Sequence, residues 1–352
     1  MSLSDLIVKP HAWYGSGAGC PIALSSRVRL ARNRSDCSFP RRAGEEECER
    51  IWNEAEPILR ELASLKPAET AGYAELTEQE RLMLFERHLI SREHAAQARG
   101  SGVAIRTDEA VVIMVNEEDH FRLQAFGGGL CLRESWARVD SVERELERAV
   151  SFAFTPRWGY LTACPSNVGT GMRASVMLHL AGLVLMEEMG PVINGIQKIG
   201  LAVRGVWGEG TEASGNMFQI SNQMTLGERE EDILALLEQV ALELVDHERN
   251  ARKRLLESRK TVLQDHVGRA YGILSHAHIL SSKEALDLLS ALRLGIDAGI
   301  LPDVERKQVD ELLLLSQPAH LQWREGRILS PAARDVARAR LIRNELFSKR
   351  SG

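Results

Sequence analysis

From Ile22 to Leu30 the chain alternates: Ser25, Arg27 and Arg29 fall on one side and Ser26, Val28 and Leu30 on the other. That period of two predicts a half-buried strand and makes two permanently charged side chains project from the same face. Three further blocks carry arginine together with acidic or small polar residues: Asn116-Glu117-Glu118-Asp119-His120-Phe121-Arg122, Cys164 to Ser175, and Arg204-Gly205-Val206-Trp207-Gly208-Glu209. Guanidinium presents a planar fork of donors suited to holding a polyphosphate and a transferring phosphoryl group. Two carboxylates beside such a cluster suit a cationic acceptor.

The other segments read as mixed helix and strand. Helical spacing runs from Glu45 to Leu65 and from Thr77 to Gly100, where Thr77-Glu78-Gln79-Glu80 is a capping box; Pro67 and Gly72 punctuate the gap. Val111 to Val115 reads as a buried strand with Asn116 to His120 exposed at its end. A helix is predicted from Ser141 to Phe154, a strand from Tyr160 to Cys164 and a loop from Ser166 to Gly171. Thr170 is read as the cap of a helix passing through Arg173, Leu178, Leu183 and Met186 to a stop at Gly190-Pro191, which gives Arg173 a helix dipole favourable to anions. Ile199 to Val206 reads as a buried strand carrying Arg204, with Glu209 in the loop behind it. Glu228 to about Lys260 is one long helix that turns polar all round from His247, a pattern of helices bridging two bodies, so a domain boundary is placed near residue 255. Amphipathic helices follow at Ala285 to Leu294, Val304 to Leu315 and Ala332 to Phe347. Strands mixed with helices, without regular βαβ spacing or a Rossmann glycine fingerprint, give an α+β class.

At 352 residues the chain exceeds the size at which one core usually keeps growing, about 250–300 residues, so two domains are expected. A net charge of −5 and a pI of about 6.1 argue against a general nucleic-acid or membrane-surface role carried by the whole protein, leaving room for a local basic patch. The sequence has no apolar run of about 18 residues and no signal pattern at Met1 to Asp5, so a cytoplasmic protein is expected. Cys20, Cys37, Cys48, Cys131 and Cys164 lack CxxC pairs, and His276 and His278 lack partners at ligand spacing, so neither a disulfide framework nor a protein-held metal is expected. GxxxxGK[ST] is absent, which leaves phosphate binding to side chains.

In their order along the chain, the four blocks resemble those of the phosphagen (guanidino) kinases, which move the γ-phosphoryl of ATP onto a guanidinium nitrogen. The resemblance covers roughly residues 12 to 245. It implies a large antiparallel sheet flanked by helices. It implies that Arg27, Arg29, Arg122, Arg173 and Arg204 contact the nucleotide phosphates. Ser25, Ser26, Val28, Ala174, Ser175, Val176, Met177, Gly205, Val206, Trp207, Gly208 and Glu209 would belong to the same ATP site, with His88 against the nucleotide. Glu118 and Glu209 match the carboxylates that orient the acceptor, whose pKa above about 12 otherwise keeps it protonated; Cys164 matches a reactive cysteine beside it. ATP and Mg²⁺, the metal bound mainly through the phosphates, are the implied cofactors.

Two departures point, within the family, to the bacterial protein-arginine kinases. Only 24 residues precede Ser25, where small-molecule members carry a longer helical domain that closes over the acceptor; an open acceptor site is implied. The C-terminal segment holds Arg334-Asp335-Val336-Ala337-Arg338-Ala339, similar to the RDxxRA phosphoarginine-binding motif of that branch, with Arg334 and Arg338 one helical turn apart and Asp335 beside them. The resemblance implies a catalytic domain over residues 1–255 and a helical phosphoarginine-binding domain over 256–352. It further implies protein substrates with accessible arginines, an activator protein, delivery to a Clp ATPase/protease in stress, and a homodimer. A kinase for free arginine, or a phosphoarginine-binding adaptor with a decayed kinase fold, are the alternatives.

Overall fold

The computed structural model describes residues 20–97, 99–205 and 214–347. The elements run β1 (Ala23–Arg32), α1 (Glu45–Glu61), β2 (Ala68–Gly72), α2 (Glu78–Glu86), α3 (Arg92–Ala95), β3 (Gly102–Arg106), β4 (Val111–Val115), β5 (Phe121–Gly128), α4 (Leu132–Glu147), β6 (Phe154–Thr155), β7 (Gly159–Tyr160), β8 (Met172–His179), α5 (Ala181–Leu185), α6 (Met189–Lys198), β9 (Leu201–Gly205) and β10 (Met217–Asn222). Helices α7 (Glu230–Ser258), α8 (Lys260–His276), α9 (Ser282–Asp297), α10 (Arg306–Leu315), α11 (Pro318–Glu325) and α12 (Pro331–Phe347) complete the chain. Eight strands form one sheet in the order β2-β3-β4-β5-β1-β8-β10-β9, and β6 pairs with β7 as a separate ribbon. This is the expected α+β architecture, a large antiparallel sheet with helices flanking it. The described residues fall into two compact units, 25–97, 99–176 and 221–239 in one, and 20–24, 177–205, 214–220 and 240–347 in the other.

In the first unit, β1 alternates as its sequence predicts: Ser26, Val28 and Leu30 are buried, while Ser25, Arg27 and Arg29 keep partial exposure. Helix α1 buries Ile51, Trp52, Ala55 and Leu59 along one face. Trp52 covers Gly102 of β3, where an added Cβ would come within 2.3 Å of the indole, so only glycine admits the ring. Helix α2 starts with the expected capping box, Thr77 accepting from the Glu80 N–H and the Glu80 carboxylate accepting from the Thr77 N–H. It does not continue to Gly100. His88 takes φ 60°, and the preceding Arg87 is buried in a two-bond fork on Glu109 at 2.7 and 2.8 Å. A second cap, Ser91, then starts α3.

The segment read as a helix through Arg173 is instead strand β8. Met172, Ala174, Val176 and Leu178 fill one face of the strand, and Ser175 and His179 on the other face are buried as well, so apolar residues occur on both sides of the arginine and periodicity alone does not separate this strand from a buried helix. Thr170 does engage the backbone, accepting from the Met172 N–H, and Gly171 at φ 62° turns the chain into the strand. Arg173 therefore sits on the sheet without a helix dipole behind it. Gly190-Pro191 lies in the first turn of α6, where proline's missing N–H breaks no helical bond, so it opens a helix rather than ending one. Helix α4 lies earlier than Ser141 to Phe154, and Tyr160 to Cys164 contributes only Tyr160 to a strand. Patterning does not reveal β2, β3 or the glycine-containing β5.

In the second unit, Ala181, Leu255, Leu263, Val267 and Leu294 form a core among α5, α7, α8 and α9. The polar half of α7 is not simply solvated. Glu248 is fully buried and accepts from the Gly182 and Leu183 N–H groups at the start of α5 (2.8 and 2.9 Å), a carboxylate stabilising a helix N-terminus. Arg252 bridges Glu248 to Asp297 at 2.6 and 2.8 Å.

Candidate active site

Paired residues of an antiparallel ladder share a face, so the register determines which arginines meet. In the β1–β5 pair, Arg27 stands opposite Phe126, Arg29 opposite Gln124 and Ala31 opposite Arg122. Arg122 therefore shares the face of Arg27 and Arg29. On the other side of β1, the Ala31 N–H donates to the Gly171 carbonyl at 2.9 Å, and Arg173 follows two residues along β8 on that same face. Three neighbouring strands thus present four guanidiniums together.

The electrostatics match this geometry. Burial, with Arg122 and Arg173 nearby, lowers Arg27 to about 9, and burial with Arg27, Arg122 and Arg173 pulls Arg29 well below its ordinary value. Glu117 provides a counter-charge, its Oε1 2.6 Å from Arg122 Nη1. Burial would raise that carboxyl, yet Arg122 and the Ser91 hydroxyl bring it down to about 2. Arg29 Nε is buried with no hydrogen-bond partner. Mutually repelling guanidiniums and an orphaned donor are the conditions that a polyphosphate relieves.

Ser26 and Val28 lie on the opposite face of β1. Ser26 Oγ donates to Gly129 O at 2.8 Å and accepts from the Cys131 N–H, fastening the strand to the start of α4, and Val28 is core. On β8, Ser175 shares the face of Arg173, while Ala174 and Val176 point the other way, the Ala174 N–H donating to Asn222 Oδ1; Met177 lies further along, in the second unit. His88 occupies the turn after α2. The next residue, Leu89, accepts through its carbonyl from Gln124 Nε2, which ties this turn to the arginine face. Arg204 is half-buried on β9 of the second unit, and Gly205 ends that strand. Val206, Trp207, Gly208 and Glu209 lie outside the described residues.

Three consecutive acids in the β4–β5 turn have three different surroundings. The turn closes with Asn116 N–H on His120 O (2.9 Å) and Glu117 N–H on Asp119 O (3.2 Å). Glu117 pairs with Arg122. Asp119 is buried, accepting from Asn33 Nδ2 at 2.5 Å and from the Ala163 N–H at 2.7 Å. Glu118 keeps 29% of its side chain exposed and meets Arg41 at 2.9 Å. Burial and the neighbouring Asp119 raise the Glu118 carboxyl, and Arg41 opposes them. Of the three, Glu118 is the acid with surface left for a ligand. Cys164 is half-buried, its Sγ 3.0 Å from Ser166 Oγ. Because Asp119 also holds Ala163, one carboxylate braces the Glu118 turn and the Cys164 segment together. Sequence reasoning missed this brace, the Glu117–Arg122 pair and Arg41; the run Glu117-Glu118-Asp119 was a visible signal, but its division of labour was not.

On α12 the two motif arginines differ. Arg338 is 1% exposed, donating from Nε to Ser316 O (2.8 Å) and from Nη1 to Leu280 O (2.7 Å) and Asp335 Oδ1 (2.6 Å). It fastens the helix to the end of α10 and the approach to α9. Ala339 is core, whereas Arg334 and Asp335 stay half-exposed. Among the described residues no group of His, Cys, Asp and Glu is arranged around a metal position, and no helix is long and apolar enough to cross a membrane.

Residues 51–251 match the C-terminal catalytic domain of the ATP:guanido phosphotransferases, and residues 260–351 match the protein-arginine kinase McsB C-terminal domain. A protein-arginine kinase of Symbiobacterium thermophilum is 47% identical over 351 residues, covering 98% of this chain and 99% of the relative. That of Halothermothrix orenii is 45% identical over 348 residues, covering 98% and 99%. In fold, the chain is similar to a duplicated taurocyamine kinase from Schistosoma mansoni with bound transition-state-analogue components, at a TM-score of 0.59 and 24% identity, over 72% of this chain and 38% of that one. It is also similar to a lombricine kinase, at a TM-score of 0.58 and 23% identity over 71% of each.

Proposed function

The chain belongs to the protein-arginine kinases, an ATP:guanido phosphotransferase catalytic domain followed by a McsB C-terminal domain, and on that premise we propose how its residues carry out the transfer. Arg27, Arg29, Arg122 and Arg173, joined by Arg204, hold the phosphates of ATP. Charge in the loose transition state of phosphoryl transfer spreads over the phosphoryl oxygens, so fixed guanidiniums act by position and electrostatics. The buried, unpartnered Arg29 Nε within four mutually repelling guanidiniums is the observation that carries this reading. Mg²⁺ bound to the nucleotide supplies further neutralisation, and no protein cage is required of it.

Glu118 and Glu209 orient the acceptor guanidinium. As a guanidinium nitrogen bonds to the γ-phosphorus, the bond to the bridging oxygen breaks, ADP leaves and one guanidinium proton passes to a carboxylate. Glu118 suits that last step because burial and Asp119 already favour its protonated form. Cys164 stands beside the acceptor, held there through Ala163 and Asp119. Residues 1–255 form the catalytic part, and 256–352 read phosphoarginine, Arg334 and Asp335 at the surface with Arg338 holding Asp335 from below. The same premise supports a cytoplasmic quality-control role in a homodimer, with an activator protein and delivery of marked proteins to a Clp ATPase/protease.

Incubation with Mg²⁺, ATP and either an unfolded arginine-containing protein or free arginine, followed by measurement of acid-labile phosphate, tests the assignment. Transfer to the protein is expected. Preferential transfer to free arginine would make it a small-molecule kinase, and binding without transfer would make it an adaptor.

A further inference from the structure

A guanidinium of the chain itself stands against the candidate acceptor carboxylate. Arg41 Nη2 lies 2.9 Å from Glu118 Oε1, with Arg41 70% exposed. An isolated surface pair of this kind carries little meaning. Here, however, the turn bearing Arg41 is built onto the turn bearing Glu118. Arg41 follows Pro40 in a turn closed by the Arg42 N–H donating to Phe39 O at 2.8 Å. His120, two residues beyond Glu118, uses both ring nitrogens on the segment leading to it: Nδ1 accepts from the Arg34 N–H and Nε2 donates to Ser38 O, each at 3.0 Å. Phe39 packs edge-on against the same imidazole at 6.2 Å. Asn33 adds a third link, accepting from the His120 N–H at 2.9 Å and donating to Asp119. The Ser38 N–H is held by Glu47 of α1.

We propose that Arg41 is a tethered occupant of the acceptor position at Glu118, a built-in competitor that an incoming arginine side chain must displace. This rests on the reading of Glu118 as an acceptor carboxylate. The exchange replaces one guanidinium with another, so Glu118 is never left unpaired, and the apparent affinity of every acceptor falls by the same factor, the inverse of the fraction of chains in which Arg41 is displaced. Because the pair is exposed, the competition is mild, about 1.5- to 5-fold in an equilibrium.

The test uses the full chain, saturating Mg²⁺ and ATP, and an unstructured peptide bearing one arginine. Arg41→Ala should lower the KM for the peptide by about 1.5- to 5-fold, whereas Arg42→Ala, in the same turn, should leave it unchanged. Peptide mapping by tandem mass spectrometry after incubation with Mg²⁺ and ATP should find Arg41 unmodified. An unchanged or raised peptide KM in Arg41→Ala, or stoichiometric phosphorylation of Arg41, would overturn the competitor. If that happens while Glu118→Gln is inactive, the role of Glu118 survives; full activity of Glu118→Gln would remove both.

Discussion

Glu117→Gln removes one negative charge 2.6 Å from Arg122 while preserving the shape of the side chain. The two side chains are 6% and 22% exposed, so water screens the pair only weakly. Burial opposes the Glu117 charge, yet Arg122 and Ser91 carry the carboxyl from its ordinary 4.5 to about 2. At 1.36 kcal/mol per pKa unit this corresponds to about 3 kcal/mol, at the low end of the roughly 3–5 kcal/mol for breaking one side of a buried pair. In the variant Arg122 faces Arg27, Arg29 and Arg173 without that partner. The nucleotide-free protein should therefore melt about 6–12 °C lower, at about 2–4 °C per kcal/mol for a unit of this size. Nucleotide phosphates restore negative charge, so scanning calorimetry should find a larger ATP-induced rise in Tm for Glu117→Gln than for wild type. The contribution of a depressed carboxyl is complete above pH 4.5 and is lost as pH falls toward 2, so the two melting temperatures should converge over that window. An unchanged Tm, or equal ATP-induced shifts in the two proteins, would refute the picture of an arginine cluster needing an anion.

Glu118→Gln should reduce turnover by about 100-fold or more while calorimetric ATP binding survives, and because burial and Asp119 raise Glu118, the acid limb of wild-type kcat/KM should lie above pH 4.5; a limb at or below that value would point to another base. Arg29→Ala and Arg173→Ala should weaken ATP affinity and turnover together, since the bonds exist in both ground and transition states, and unchanged nucleotide binding in both would move the phosphates elsewhere. Arg338→Ala leaves two carbonyls without their buried donor and should destabilise by about 1–3 kcal/mol in thermal melts, the half-exposed Asp335 being free to turn to water. Half-exposed Arg334 is the cleaner probe of a pocket: Arg334→Ala should keep the Tm and lose phosphoarginine-peptide binding, and retained affinity would dismiss the pocket.

Local pattern determined a good deal on its own. The alternation of β1 set Arg27 and Arg29 on one face, the capping box started α2 at Glu78, and the apolar run Val111 to Val115 put the acidic turn at a strand end. These features depend on neighbours within a few residues, where period and cap chemistry act directly. The same locality misread β8, because a short segment buried on both faces, with Ser175 and His179 as well as its apolar residues inside, fits a helix and a strand alike until a partner strand supplies hydrogen bonds. It could not assign Glu117, Glu118 and Asp119 their separate roles either. Those follow from Arg122 five residues away, Ala163 44 residues away and Asn33 86 residues away. Nor could helical spacing tell that Arg338 turns inward to Ser316 and Leu280 while Arg334 remains at the surface. Residue identity sets which charges and donors a chain possesses; burial and distant partners, which only the fold brings together, decide which of them remain available for chemistry.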